Sequence, residues 1–412
     1  MLRPATLLLA VLLAAGCGSA GEVGGGEPGT GGNGPITFAT GRDTTAYLQP
    51  LLDRWNQAHP AEKVTLLELP EAADEQRAQM VANLQAKSER YDVLGLDVVW
   101  TAEFADNGWI IPLERGLFPL DKFLPTVVDT ALYQGKLWAV PYTSNAGLLY
   151  YRTDLVKKPP TTWAELREQA RRVKGVGGYG GQFLAYEGLA VNYLEALGEQ
   201  IVSADGTTVT LDPDRARTAL GVFTQGLREG WIPKRALNFK EEESRLAFQN
   251  GTLAFARNWP HAYGPASGPD SQVKGKFAVT RLPGLNGPGA SVLGGVNLAI
   301  SSYSRHQNTA QEFIRYFTGL ENERRVLTEG SFPPVWTELY DDPELIKRFP
   351  YLPVLKESIL AAKKRPVHPN YNQMSLVIAS AVSKALTPPF SDPTTDFGTS
   401  LKADLAEIVK NQ

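Results

Sequence analysis

From Ile36 onward the apolar positions switch between a period of two and a period near 3.6, and each switch marks an element. ITFAT (36–40) reads as a strand. In TAYLQPLLDRWNQAHP, Leu48, Leu51, Leu52 and Trp55 then recur at helical spacing. KVTLLEL (63–69) predicts a second strand, and EAADEQRAQMVANLQAKSER a second helix with Met80, Val81 and Leu84 on one face. YDVLGLDVVW (91–100) is apolar almost throughout, as a strand covered on both faces must be. Strand–helix–strand–helix–strand predicts a parallel sheet with right-handed crossovers, whose ligands bind at the carboxyl ends of the strands. The GRDTT turn (41–45) and Asp97 with Trp100 stand at those ends.

Further along, GKLWAVPYTSNAGLLYYRTDLV (135–156) reads as two extended segments broken from Pro141 to Gly147, where the chain is expected to cross between lobes. A helix opens at TWAE, because Thr162 and Glu165 have the spacing of a capping box. Helical patterns continue through AVNYLEALGEQ, DRARTALGVFTQGLREG and EEESRLAFQNG. The strand TLAFAR then runs into Arg257-Asn258-Trp259-Pro260. Pro260 lacks an N–H and biases the residue before it away from helix, so Trp259 is expected at a strand end or turn. There it is either a plug of the core or a flat wall of a binding site. A Gly/Pro-rich stretch (264–290) precedes the extended SVLGGVNLAISSYS, and the C-terminal third is helical.

At 412 residues the chain exceeds one ordinary core, so two lobes are expected. A net charge of −3 without a long Lys/Arg run argues against a nucleic-acid partner. At the N-terminus, MLRPATLLLAVLLAAGC carries one positive charge at Arg3, an apolar run from Leu7 to Ala15, and Gly16-Cys17. That is a secretory signal peptide too short to span a bilayer. Cys17 is the only cysteine, so no intramolecular disulfide forms. Residues 18–35, GSAGEVGGGEPGTGGNGP, have the composition of a flexible tether.

Catalytic signatures are scarce. His59, His261, His306 and His368 share no metal-ligand spacing, and neither a G-x-S-x-G elbow nor a phosphate-cradling glycine loop is present. Neither metal nor cofactor is expected. Asp97 and Glu241 remain open as a glycosidase pair, since sequence spacing leaves their separation undetermined. What recurs is an aromatic residue beside an isolated polar one at a break between elements: Asp97 with Trp100, Tyr142 with Asn145, Glu241 with Trp259 and Tyr263, Arg365 with Tyr371. This is the composition of a site for a polyhydroxylated ligand. Aromatic faces cover the C–H faces of a sugar ring, and charged groups satisfy its hydroxyls. Each residue also has a plain alternative: Asp97 a helix cap, Asn145 a turn residue, Glu241 a solvated helix-start carboxylate, Arg365 a surface charge.

Six segments in order carry a family resemblance: DVVWTAEFADNGWIIPL (97–113), GKLWAVPYTSNAGLLYYRTDL (135–155), PTTWAEL (160–166), FQNGTLAFARNWPHAYG (248–264), LGGVNLAIS (293–301) and KRPVHPNY (364–371). With them the chain resembles the extracytoplasmic solute-binding proteins of carbohydrate ABC transporters, the maltose/trehalose-binding group. The Asp-Val-Val-Trp and Arg-Asn-Trp-Pro segments look most like its trehalose-binding lipoproteins. The resemblance implies an α/β fold of two periplasmic-binding-protein-like lobes joined by crossing strands, with a ligand cleft between them. The lobes are expected at 36–143 with 300–345, and at 144–299 with 346–412. Ligand roles are implied for Asp97, Asn145, Glu241 or Glu242 (Glu241 preferred), Trp259, the Gly294-Gly295 turn and Arg365. Asp43 and Thr44 stand where relatives often carry Asn-Glu, and Val296 where they often carry an aromatic. Gly16-Cys17 resembles the bacterial lipobox, implying a lipidated Cys17. The implied molecule is a non-enzymatic, monomeric, extracytoplasmic binder, lipid-anchored to the membrane, that captures a disaccharide and delivers it to the permease subunits of an ABC transporter.

Overall fold

A computed structural model describes residues 31–42, 47–70 and 72–410. Cys17, the tether up to Thr30, and the candidates Asp43 and Thr44 lie outside the described residues. The principal strands in chain order are β1 (Ile36–Gly41), β2 (Val64–Leu69), β3 (Val93–Asp97), β4 (Val140–Ala146), β5 (Leu148–Arg152), β6 (Gly177–Gly180), β7 (Leu253–Asn258), β8 (Phe277–Thr280) and β9 (Leu293–Ile300). They form a first sheet of order β2-β1-β3-β9-β4 and a second of order β8-β5-β7-β6. β1 runs parallel to both β2 and β3, as the alternating pattern predicts, while β9 enters antiparallel between β3 and β4.

The helices that matter for the site are α1 (Leu48–Ala58), α2 (Ala73–Gln85), α3 (Thr101–Asp106), α4 (Trp163–Arg172), α5 (Glu187–Leu197), α6 (Glu241–Gln249), α7 (Gln307–Phe317), α8 (Leu352–Ala361) and α9 (Tyr371–Ala385). α1 buries the Leu48, Leu51, Leu52 and Trp55 face that its spacing predicts. α7 lays Phe313 and Phe317 on Phe38 of β1, with ring centroids 5.8 and 5.6 Å away. Burying each such ring contributes about 1.5–3 kcal/mol. The capping box of α4 forms: Thr162 Oγ1 accepts from the Glu165 N–H at 3.1 Å, and Glu165 Oε2 accepts from the Thr162 N–H at 3.3 Å.

Two sequence expectations change. Pro141 does not break the chain; it lies inside β4, and the break narrows to Gly147. Proline is tolerated there because β4 is the outer strand of its sheet and the ladder shifts register opposite it, between Val296 and Asn297. Within the Gly/Pro-rich residues 264–290, β8 forms and pairs with β5. Residues 293–299, assigned to the second lobe from sequence, belong to the first sheet through β9. The local pattern identifies a strand but not its partner. Likewise α8, within the stretch assigned to lobe 2, packs against β4, while α9 packs against α5.

The chain passes from the first sheet to the second in one residue, Gly147, between β4 and β5. Beside it, Val292 bridges Lys363 in parallel, with the Leu293 N–H donating to the Lys363 carbonyl at 2.9 Å and the Lys363 N–H to the Ser291 carbonyl at 2.8 Å. The crossing is therefore a narrow ribbon of short segments. Among the described residues no helix is long and apolar enough to cross a membrane, and no group of three or more His, Cys, Asp or Glu is arranged to hold a metal ion.

Candidate functional site

The carboxyl ends of β1 and β3 face the starts of α5 and α6 and the end of β7 across a cleft of ≈ 670 Å³. That volume suits a small organic ligand. Every described candidate lines it: Asp97, Asn145, Glu241, Trp259, Gly294, Gly295 and Arg365. Trp100, Tyr142 and Val296 line it as well. Tyr263 and Tyr371 do not. Tyr263 packs on Tyr351 at 4.5 Å and Phe277 at 5.2 Å, and Tyr371 is buried beneath the cleft floor.

Trp259 follows β7, and its extended backbone caps the short turn of helix that Pro260 opens. The Arg257 guanidinium covers one face of the indole, 3.9 Å from the ring centroid. Arg257 is buried, whereas the Trp259 ring is half-buried and lines the cleft. Tyr150 Oη donates to the Trp259 carbonyl at 2.8 Å, which pins the backbone of the platform. A Cβ on Gly294 would sit 3.4 Å from the Trp259 ring edge, so the glycine lets β9 approach the indole.

Gly294 and Gly295 are part of β9 rather than a turn. Gly295 has φ +129°, and a Cβ there would come 2.1 Å from the Thr143 carbonyl oxygen. Only glycine fits that backbone at that approach. Asn145, one residue before the end of β4, lies opposite Gly294 and is half-buried at the cleft.

Arg365 is not surface charge. Its side chain is 3% exposed, and it bridges Asp97 Oδ1 at 2.8 Å and Glu187 Oε1 at 2.5 Å while Nε donates to the Leu293 carbonyl at 3.3 Å. Tyr371 Oη donates to the same Glu187 oxygen at 3.0 Å. Burial pushes the Asp97 carboxyl above its ordinary range; Arg365 opposes that rise and Glu187 adds to it. Burial also works against the Arg365 charge, but Asp97, Tyr371 and Glu187 outweigh it, so Arg365 stays protonated. Asp97 additionally accepts from the Val99 N–H at 3.1 Å, ordering the turn that leads to α3; it is not the helix cap, since that position is Trp100 and no side chain caps α3.

Both acidic candidates at the start of α6 reach the cleft, but differently. Glu242 is bound by the Arg245 guanidinium at 2.7 Å and faces His261 at 3.8 Å. His261 and Arg245 hold its carboxyl down to about 2. Glu241 accepts a 2.6 Å bond from Tyr186 Oη. Burial, then Glu241, push the Tyr186 phenol far above its usual range, so Tyr186 remains a donor.

Tyr186 and Glu187 are the residues that sequence reasoning missed. The helical pattern predicts a helix only from Ala190, whereas α5 begins at Glu187. Two signals were present: an aromatic beside an isolated carboxylate at an element boundary, and an acidic residue in a first helical turn, where the helix dipole favours it.

Residues 39–324 match the family model for bacterial extracellular solute-binding protein. A probable ABC transporter-binding protein of Deinococcus radiodurans is 34% identical over 345 residues, covering 79% of this chain and 82% of that protein. A maltotriose-binding protein of Pyrococcus abyssi is 24% identical over 324 residues, covering 76% of this chain and 68% of its own. Among solved structures, maltose-bound MalE3 of T. maritima superposes with a TM-score of 0.82 at 31% identity, over 91% of this chain and 99% of that one.

Proposed function

This chain belongs to the bacterial extracellular solute-binding proteins, and we propose that its cleft captures a disaccharide and delivers it to the permease of an ABC importer. The observation that carries the sugar reading is Trp259: an indole with the Arg257 guanidinium on one face, lining a cleft that also holds Asp97, Asn145, Glu241 and Arg365. A flat apolar face with charged hydrogen-bonding groups around it matches a pyranose, whose C–H faces are apolar and whose rim is hydroxylated. The maltose-bound T. maritima relative and the P. abyssi maltotriose-binding protein support a glucose-based ligand. The Asp-Val-Val-Trp and Arg-Asn-Trp-Pro segments favour trehalose among such disaccharides.

The magnitudes are sufficient. Four hydrogen bonds to charged groups, about 1.5–3 kcal/mol each, give roughly 6–12 kcal/mol before costs. Association costs about 4–15 kcal/mol, so ring stacking has to supply part of a micromolar complex at about −8 kcal/mol. A sugar touching both sides of the cleft would favour closure about the crossing at Gly147, and no covalent step is required. A lipid on Cys17, with residues 18–35 as tether, would hold the body at the membrane beside its permease.

Calorimetric titration of the purified full-length protein with trehalose, maltose, sucrose and glucose tests the reading. Saturable micromolar binding of trehalose with weak binding of glucose is expected. Binding of maltose instead keeps the sugar function and overturns the trehalose preference, shifting attention to Asp43, Thr44 and Val296. Absence of heat with all four overturns the disaccharide reading. Mass spectrometry of the mature N-terminus tests the anchor: an acylated Cys17 is expected, and an unmodified one refutes it.

A further inference from the structure

The bond network behind Trp259 does not stop at Arg257. Arg257 Nε and Nη2 donate to Glu195 Oε2 and Oε1, each at 2.7 Å, with the two side chains 1% and 3% exposed. Nη1 donates to Gln182 Oε1 at 3.1 Å. The planar fork is thus satisfied on its edge, which leaves its face free to lie on the indole. Glu195 Oε1 accepts from Ser291 Oγ at 2.8 Å, and Ser291 Oγ accepts from the Gly147 N–H at 2.6 Å. Gly147 and Ser291 both belong to the crossing between the sheets.

The contact at Gly147 is direct as well as hydrogen-bonded. A Cβ there would fall 2.5 Å from Glu195 Oε1 and 2.8 and 2.9 Å from Arg257 Nη2 and Nε. Gly147 is not among the glycines with positive φ, so its lack of a side chain answers to space rather than to backbone conformation. The buried ion pair seats against the crossing strand through the gap that glycine leaves.

We propose that Arg257, Glu195 and Ser291 form a positioning unit that fixes the Trp259 ring and ties it to the interlobe crossing at Gly147. These residues set ligand affinity without touching ligand. A buried pair costs desolvation that its mutual attraction need not exceed, so its value here is geometric: it gives the platform one orientation and links that orientation to the hinge. The proposal rests on Trp259 being the ligand platform.

The test uses Ser291→Ala and Gly147→Ala, each alone and combined with Trp259→Leu, with maltose and trehalose as probes in calorimetry. Ser291→Ala removes one hydroxyl and Gly147→Ala adds one methyl, and far-ultraviolet circular dichroism checks that each variant keeps its fold. Each change is expected to weaken probe binding threefold or more in the otherwise unaltered protein, and less than twofold with Trp259→Leu present. Non-additivity of that kind marks action through the shared ring. Without ligand, the emission of Trp259 is the difference between each protein and its Trp259→Leu counterpart. It is expected to change wavelength when either substitution displaces the guanidinium. Equal losses in both backgrounds, or an unchanged Trp259 emission in both variants, overturn the positioning unit. Failure of the unaltered protein to bind either probe would instead sink the maltose and trehalose reading, and the emission alone would then decide the positioning.

Discussion

Arg365→Ala removes a cation that two carboxylates share. In the folded protein Arg365 is buried between Asp97 and Glu187, on which Tyr371 also converges. Each lost hydrogen bond to a charged group is worth about 1.5–3 kcal/mol, and breaking a buried pair by removing one partner typically costs about 3–5 kcal/mol. A loss of about 3–5 kcal/mol is a large share of a stability of order 5–15 kcal/mol. The substitution is therefore expected to act on the fold as well as on the site, contrary to the simpler expectation of a surface arginine. With an unfolding entropy near 2.1 cal/mol/K per residue, roughly 0.8 kcal/mol/K for this body, the expected fall in Tm is about 4–6 °C. Thermal unfolding followed by circular dichroism measures it. The pH dependence distinguishes this mechanism from simple loss of packing. Asp97 already lies above its ordinary value of 3.8, and Arg365 is the main influence opposing that rise. Without Arg365 the folded variant holds the Asp97 proton more firmly than the unfolded chain does. The contribution of Asp97 to stability is then fully present below 3.8 and is lost as pH rises through the elevated folded value. The Tm gap to the unaltered protein should accordingly narrow as pH falls from 7 toward the ordinary value of 3.8. A gap of less than 1 °C at pH 7, or one that does not change with pH, would refute the shared-cation account.

Trp259→Ala is expected to weaken disaccharide binding at least tenfold, about 1.4 kcal/mol, with Tm little changed; wild-type affinity in the folded variant removes Trp259 from the site. Gly295→Ala should lower stability by more than about 1 kcal/mol, because φ +129° and the 2.1 Å approach to the Thr143 carbonyl both oppose a side chain; an unaltered denaturation midpoint contradicts this. Tyr186→Phe takes the donor from Glu241 and is expected to weaken binding roughly threefold to tenfold, in line with one hydrogen bond of about 1 kcal/mol; calorimetry with unchanged affinity would show that Glu241 needs no anchor.

Much of the candidate cleft lining was legible because its residues sit at element ends, where patterns break. The strand TLAFAR followed by Trp259-Pro260 announces an aromatic at a boundary, and the structure turns that ring to the cleft. Asp97 at the end of an apolar strand is recognisable in the same way. Arg365 was read from the segment resemblance, but its burial was not, since Lys363 and Lys364 beside it suggest a solvated run. Glu187 is not legible in that way, because the helical pattern becomes regular only from Ala190, one turn after α5 begins. Arg257 carried no signal at all, because a charged residue in a strand becomes a buried brace only when a partner from α5 reaches it.

Local periodicity and capping depend on neighbours three or four residues away, so the amphipathic α1, the capping box at Thr162 and Glu165, and the β1 to β3 alternation were written in the sequence itself. So were the lobe-sized length and the aromatic–polar pairs. Partnership depends on contacts made across long loops, which no local pattern encodes. The insertion of β9 between β3 and β4, the sharing of Arg365 by Asp97 and Glu187, and the seating of Arg257 and Glu195 against Gly147 were decided only when tertiary packing brought those segments within hydrogen-bonding reach.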